Sequence, residues 1–410
     1  MLIDFSVTNF KSIKEKQTFS MIPAAKVKEL PQNVLQKGNQ SLLASTVIYG
    51  KNASGKSNLL KALNTLFSMV RLTGIKSDNF HLFYSPFLLA DEREPIIFDL
   101  NFIGYKGVRY NYFLSYDAQG IIKETLSAYF SRKASLIFNR ERDKISEVGE
   151  GIKSLVFKAL ENATYEQQTI LSKVKDFKID ALSEPYETLK NYTASVFQDD
   201  INNFTSILSW KFVHEQNPKT KKWVEQLLKI ADTDVNGFSF KLMDIDKQTL
   251  LNGYEILTQH KTASGKDVFF PIDMESSGTQ KLLYVGTIIA FTLEQGGVVI
   301  IDELDKSLHP LLTKTLIRLF HNPKTNPKGA QLIWASHDAT LLSGDLFRRD
   351  QIWFAEKEKD GTSYYYALSD LKDVRASVPF EKYYLKSAFG AAPMIDEFEM
   401  ENLVYDTPSV

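Results

Sequence analysis

The segment Gly50-Lys-Asn-Ala-Ser-Gly-Lys56-Ser57 constrains the fold more than any other part of the 410-residue sequence. Two glycines five positions apart, followed at once by Lys and Ser, make a loop whose backbone N–H groups can turn inward around phosphate oxygens. The flanks fit this reading. Thr46-Val-Ile-Tyr49 is a short β-branched and aromatic run, and Leu59, Leu60, Leu63 and Leu66 follow at helical spacing. Strand, glycine loop and helix in that order set the positive end of a helix dipole behind the loop. Gly50, Asn52, Ser54, Gly55 and Asn58 are then expected to line a phosphate site, with Lys56 reaching the β- and γ-phosphates and Ser57 offering its hydroxyl to Mg²⁺. The alternative, a glycine turn with a solvated lysine, does not account for this context.

A second segment supplies the partner chemistry. Val298-Val-Ile-Ile301 is a continuous apolar run of the kind buried on both faces of a parallel sheet, and it ends in Asp302-Glu303. Ligands of open α/β sheets gather at the carboxyl ends of such strands. Asp302 is expected to hold Mg²⁺ through water, and Glu303 to act as general base or water-orienting group. Alone, an apolar run ending in two acids is an ordinary strand end; behind a phosphate loop it gains meaning.

Glu275-Ser-Ser-Gly-Thr-Gln-Lys281 opens a helical stretch containing Leu282, Leu283, Val285, Ile288 and Ile289. Ser277 and Gly278 therefore stand at a helix N-terminus, another place suited to phosphate. By itself the pattern reads as a simple N-cap.

The rest of the chain sets the frame. Ile3, Phe5 and Val7 alternate as in a half-buried strand, and a loop rich in Lys, Gln and Asn follows, with Pro23 and Pro31 as breakers. Ile96 to Phe102 and Arg109 to Tyr116 read as an antiparallel meander, with a further strand at Leu136-Ile-Phe138. Between about Ser154 and Ile230 the spacing turns helical, as at Ile170, Val174, Phe177 and at Ile201, Phe204, Ile207, Leu208, without a sustained heptad. Strand-like runs return at Phe238–Met243, Tyr254–Leu257 and Gln331–Ala335, and Gln351–Ala355 with Ser363–Ala367 reads as a late hairpin. The expected division is an N-terminal lobe over 1–150, a helical insertion over 151–235 and a C-terminal lobe over 236–410.

Composition narrows the function classes. Lys+Arg 49 against Asp+Glu 50 leaves a net charge of -1, which excludes a uniformly basic nucleic-acid coat. The absence of cysteine excludes disulfides, thiolate metal sites and a cysteine nucleophile. The longest nearly uncharged apolar stretch, Leu282 to Leu293, is too short to span a bilayer as a helix, and no signal-peptide pattern opens the chain. A cytoplasmic protein without a membrane span is the expectation.

The motifs also occur in a telling order: glycine loop, Ser-Ser-Gly-Thr-Gln, Val-Val-Ile-Ile-Asp-Glu, Leu304-Asp-Lys-Ser-Leu-His309-Pro310 and Ser336-His337-Asp338. In this order the chain resembles the ABC-type ATPase heads of the SMC, Rad50 and RecF class. More narrowly it is similar to the RloA/AbiL-type ATP-binding proteins of bacterial phage-defence loci. The narrower likeness rests on Asn9-Phe-Lys-Ser12, Glu275–Thr279, Asp302–Pro310, Arg349-Asp-Gln-Ile-Trp353 and Phe389-Gly-Ala-Ala-Pro393.

The resemblance implies an α/β fold of P-loop NTPase, ABC/SMC-head type: a mixed and parallel sheet with helices, an antiparallel β subdomain and a helical insertion. It implies ATP and Mg²⁺ as ligands and a homodimer closed head to head around ATP. Ser277, Gly278, Thr279 and Gln280 would meet the γ-phosphate held by the opposite protomer, and His337 would be the switch histidine sensing it. His309 stands where many relatives have Asp, Thr279 replaces a second glycine, and no glutamine near Phe83–Pro86 matches the Q-loop. The span between Ser57 and Ser276 is too short for a long coiled arm, and no nuclease module follows His337. The acidic group Asp396, Glu397, Glu399, Glu401 reads as a solvated tail. An ATP-dependent sensor or regulator of a separately encoded effector, a nuclease or toxin, is the expected function. The rival is a DNA-repair or chromosome-maintenance ATPase, with Lys219, Lys221, Lys222, Arg132, Lys133, Arg140 and Arg142 as phosphate contacts.

Overall fold

The computed structural model describes residues 1–71, 80, 83–150, 154–174, 177, 179–191, 193–197, 217–231, 233–242, 254–372, 374–375 and 377–393. The helical spacing at Ile201–Leu208 and the acidic group at 396–401 lie outside these residues. The chain opens with β1 (Leu2–Thr8) and β2 (Gln17–Ser20), an antiparallel pair, and then the hairpin β3 (Val34–Lys37) and β4 (Gln40–Leu43). The Lys-, Gln- and Asn-rich stretch expected to be a loop thus holds three short strands. Their polar composition hid them, since β2 buries only Phe19 fully and β3 is nowhere fully buried.

Next come β5 (Ser45–Tyr49) and α1 (Lys56–Arg71), joined by the glycine loop. The meander β6 (Ile96–Ile103), β7 (Arg109–Tyr116), β8 (Ile121–Tyr129), β9 (Ser135–Glu141) and β10 (Lys144–Val148) follows. It joins β1 and β2 in a seven-stranded antiparallel sheet of order β10-β9-β8-β7-β6-β1-β2. Period-2 alternation explains the sheet: Ile96, Phe98, Leu100 and Phe102 all turn to one side and are buried.

The region 151–235 contributes α2 (Ser154–Asn162), α3 (Asp180–Asn191), β11 (Thr193–Val196) and α4 (Pro218–Ile230). Its helices are as expected, but Thr193-Ala-Ser-Val196 is a strand of the central sheet, paired in parallel with residues 298–301. A four-residue strand with two hydroxyl side chains carries no periodic signal. Its non-local bonds include Ser195 Oγ donating to Asn64 Oδ1 at 2.6 Å, Asp302 N donating to Val196 O at 2.9 Å, and Arg71 donating to the Thr193 carbonyl and hydroxyl.

After the three-stranded antiparallel sheet β12 (Gly237–Leu242), β13 (Tyr254–Lys261), β14 (Asp267–Pro271), the chain forms α5 (Ser277–Gln295), β15 (Val298–Ile301), α6 (Pro310–His321) and β16 (Gln331–Ala335). The hairpin β17 (Ile352–Lys357), β18 (Ser363–Ala367) and the short α7 (Phe380–Leu385) follow. The central sheet runs β11-β15-β16-β5-β17-β18, parallel except for β18.

This sheet is buried on both faces. Val298 and Ile300 belong to the core shared with α1 and the antiparallel sheet, while Val299 and Ile301 belong to the core beneath α5 and α6. Leu59, Leu60, Leu63 and Leu66 of α1 are all buried in the first core, each worth about 1.5–3 kcal/mol relative to exposure. The fold is that of a P-loop NTPase of ABC/SMC-head type, α/β with an antiparallel β subdomain. Among the described residues no helix is long and apolar enough to cross a membrane.

The segment around Phe389-Gly-Ala-Ala-Pro393 closes beside the glycine loop. Tyr384 packs edge-on against Tyr49 and stacks on Phe354, and Phe389 lies against Phe354. Glu356 of β17 accepts from the Tyr366 hydroxyl and from Ala391 N, both at 2.6 Å.

Candidate functional site

The parallel strands β5, β15 and β16 end together, so the loops after them meet at one edge of the sheet. The loop after β5 is shaped by close approach of backbones. A Cβ on Gly50 would stand 2.4 Å from the carbonyl oxygen of Ala355, and one on Gly55, where φ is +107°, 2.4 Å from Ser363 Oγ. Only glycine fits either place. Lys56 Nζ bends back to donate to the carbonyls of Gly50 (2.7 Å) and Lys51 (3.1 Å). Burial lowers its ammonium to about 8, against the pull of Asp302, Glu303 and Asp305 nearby.

Ser54 is fully buried, and its Oγ has no hydrogen-bond partner among the described residues; Asn52 is exposed. Asn58 donates to Ser12 Oγ at 2.7 Å, and Ser363 donates to Ser54 O at 2.7 Å, which ties the loop to the β1–β2 turn and to β18. A cavity of ≈ 530 Å³ opens here, lined in part by Lys11, Ser12, Asn58 and Tyr84. Burial, with Lys61 adding to it, lowers the Lys11 ammonium.

Asp302, at the end of β15, lies beside the Ser57 hydroxyl; burial raises its carboxyl above the usual range, with Ser57 opposing. Its Oδ1 is buried without a hydrogen-bond partner among the described residues. A hydroxyl and a carboxylate with an orphaned oxygen, facing a lysine-bearing glycine loop, fit a hard cation such as Mg²⁺.

Glu303 adopts the left-handed conformation, φ +54°. Its Oε1 lies 3.5 Å from His337 Nε2 and its Oε2 lies 3.2 Å from Lys306 Nζ. Burial and then Lys56 lower the His337 imidazolium, with Glu303 opposing. The backbone N–H groups of His337 and Asp338 donate to Asp305 Oδ2 at 3.3 and 3.2 Å, so the loops after β15 and β16 are fastened to each other. His309 caps α6, its Nδ1 accepting from Leu311 N at 3.2 Å.

At the start of α5 the N-cap is Ser276, whose Oγ accepts from Thr279 N at 3.1 Å. Ser277 is exposed. Thr279 is buried against the Ser276 hydroxyl, 2.9 Å away, and Gln280 Nε2 donates to Glu275 O at 2.9 Å. The side chains of Thr279 and Gln280 are therefore turned toward their own chain.

Lys281, the last residue of the Glu275–Lys281 motif, had no expected role. Its buried Nζ donates to the carbonyls of Glu303 (2.5 Å) and Lys306 (2.8 Å), and burial lowers it to about 8. A lone cation beside Leu282 and Leu283 was the available signal. Gly278 packs on the same loop, a Cβ there falling 2.7 Å from Ser307 O. Lys56, Ser57, Asp302, Glu303 and His337 thus converge. The contacts of Lys281 and Gly278 lead from the Ser277 turn to the loop after β15, not to the glycine loop.

Residues 45–343 match the family described as AAA domain, putative AbiEii toxin, Type IV TA system. No curated protein matches the sequence. Similar solved structures include an SMC head bound to the C-winged helix domain of ScpA, with 15% identity over 89% of this chain and 97% of that one, TM-score 0.47. An SMC head domain from Thermotoga maritima has 14% identity over 89% and 98%, TM-score 0.41. An Smc head with an extended coiled coil from Pyrococcus furiosus, bound to the C-terminal domain of ScpA, has 12% identity over 95% and 98%, TM-score 0.40.

Proposed function

Since the chain belongs to the AAA family described as putative AbiEii toxin, Type IV TA system, we propose that it binds and hydrolyses ATP as a head-to-head dimer controlling a separately encoded effector in phage defence. One observation supports this reading above others. Lys56, Ser57, Asp302, Glu303 and His337 assemble half of an ATPase site, while Ser277 lies exposed and its helix is fastened to the loop after β15 rather than to the glycine loop. Two copies facing each other would complete both sites.

In that dimer the N–H groups around Gly50–Ser57 cradle the phosphates, and Lys56 leaves the carbonyls of Gly50 and Lys51 to meet them. Ser57 and Asp302 are the residues that would hold Mg²⁺, which when bound draws charge from the β- and γ-phosphates. Glu303 orients and deprotonates the attacking water, and His337, beside Glu303, faces the departing phosphate. The opposite Ser277 and Gly278 stabilise the closed state only while a γ-phosphate is present, so hydrolysis shifts the population toward separate chains.

Glu303→Gln tests it. The expected variant binds ATP, turns over at least about 100-fold more slowly and doubles its 46.7 kDa mass in light scattering with ATP and Mg²⁺. Normal turnover, or a monomer under those conditions, overturns the reading. Co-purification with the neighbouring gene product, and toxicity only when both are expressed, are expected for the effector role; full defence from this chain alone rejects it.

The DNA-binding rival loses one of its proposed contacts: Arg140 is buried in an ion pair with Glu124, whereas Arg142, paired with Asp117 at 2.7 Å, keeps its side chain partly exposed.

A further inference from the structure

Glu275, directly before the N-cap of α5, is a carboxylate that the proposed reaction does not use. Its Oε1 lies 2.6 Å from His260 Nε2 and accepts the Thr258 hydroxyl at 2.5 Å. Thr258 and His260 are two apart on β13, so they share one face of the three-stranded sheet. Thr258 is buried, and the side chains of His260 and Glu275 are 18% and 12% exposed. The His260 ring lies against Phe270 of β14, 5.2 Å between centroids. Short bonds to a largely withdrawn carboxylate distinguish this cluster from a screened surface pair.

The geometry of the connector gives the cluster its consequence. Pro271 ends β14 in register with Leu257, a single turn of 3₁₀ helix covers Ile272–Met274, and α5 starts at Ser277. Glu275 returns this connector to β13, and Gln280 holds its backbone carbonyl from the helix side. The turn that presents Ser276, Ser277 and Gly278 is therefore tied at both ends.

We infer that His260 and Thr258 are positioning residues for the Ser277 turn: by fixing Glu275 they aim the start of α5 at the nucleotide of a second copy. This rests on the head-to-head reading above. The contacts of His260 and Thr258 run to Glu275 and Phe270, so ATP binding by a single chain is independent of them and association of two chains is not.

The test uses the full chain with Glu303→Gln as parent, adding His260→Ala or Thr258→Val. ATP affinity is read with a fluorescent analogue at concentrations where the chain is monomeric, and ATP-dependent association by sedimentation. Monomer affinity is expected to stay within about twofold while association weakens about tenfold, the scale of a lost hydrogen bond to a charged group. His260→Gln, which can still donate to Glu275, is expected to recover most of the association. Association equal to the parent overturns the inference. So does a parallel loss of monomer affinity, association and melting temperature without rescue by His260→Gln, since that pattern marks general packing. A parent that stays monomeric with ATP overturns the head-to-head reading and this inference with it, whereas a dimerising parent with dimerising variants overturns this inference alone.

Discussion

Lys281 Nζ and the carbonyl oxygen of Glu303 are hydrogen-bonded at 2.5 Å, which joins the helix behind the Ser277 turn to the backbone of the carboxylate proposed to activate water. Glu303 is left-handed, a conformation that disfavours a non-glycine residue by about 1–2 kcal/mol. Lys281 also holds the carbonyl of Lys306, so it caps the turn that contains this strain.

Lys281→Met removes the ammonium that makes both hydrogen bonds and keeps most of the side-chain length. Steady-state kinetics are expected to show kcat lowered at least about tenfold, with ATP affinity within about threefold, because the glycine loop is untouched. An unchanged kcat contradicts the coupling.

Gly278→Ala meets backbone. The new methyl would stand 2.7 Å from Ser307 O, and no flexible side chain can yield there. A loss of about 1–3 kcal/mol in urea unfolding is expected, together with loss of ATP-dependent association while ATP binding persists.

Arg140 and Glu124 form a buried pair inside the meander, and Arg140 also donates to the carbonyls of Arg142 and Gln168. Burial raises the Glu124 carboxyl even with Arg140 opposing. Arg140→Met is expected to destabilise by about 3–5 kcal/mol, and adding Glu124→Gln to recover part of that. Denaturant midpoints of the single and double variants decide it.

His321 sets a pH dependence. Its Nε2 lies 2.7 Å from the Ser45 hydroxyl and 3.4 Å from Gln351 Nε2, both able to donate, so the neutral ring is the one that fits. Burial, helped by Arg318, lowers it to about 3, whereas the unfolded chain takes up a proton near 6.5. The stability it contributes is complete above about pH 6.5 and is lost as pH falls toward 3, by up to about 1.4 kcal/mol per unit. His321→Gln should flatten that slope relative to wild type in thermal melts across this window.

The glycine loop and the Asp302-Glu303 strand were legible because each is local: a few adjacent residues specify strand, turn and helix without reference to the rest of the chain. The order of the motifs then carried the fold. Thr193–Val196 was not legible, because what makes it a strand is pairing with Val298–Ile301, about a hundred residues away. His260 escaped for a similar reason. Its meaning lies in Glu275, fifteen residues on, and only the turn through β14 brings the two together. Thr279 and Gln280 were read as ligands, yet their hydrogen bonds show them also holding the turn in shape.

Tyr384 and Phe389 cover the aromatic base of the glycine loop, and they are made long after it. While the chain is being synthesised, Gly50–Ser57 leaves the ribosome with Tyr49 lacking Phe354, Tyr384 and Phe389 alike. Competence for nucleotide therefore comes late in the life of each molecule, and a prematurely terminated chain would carry the motif without the finished site.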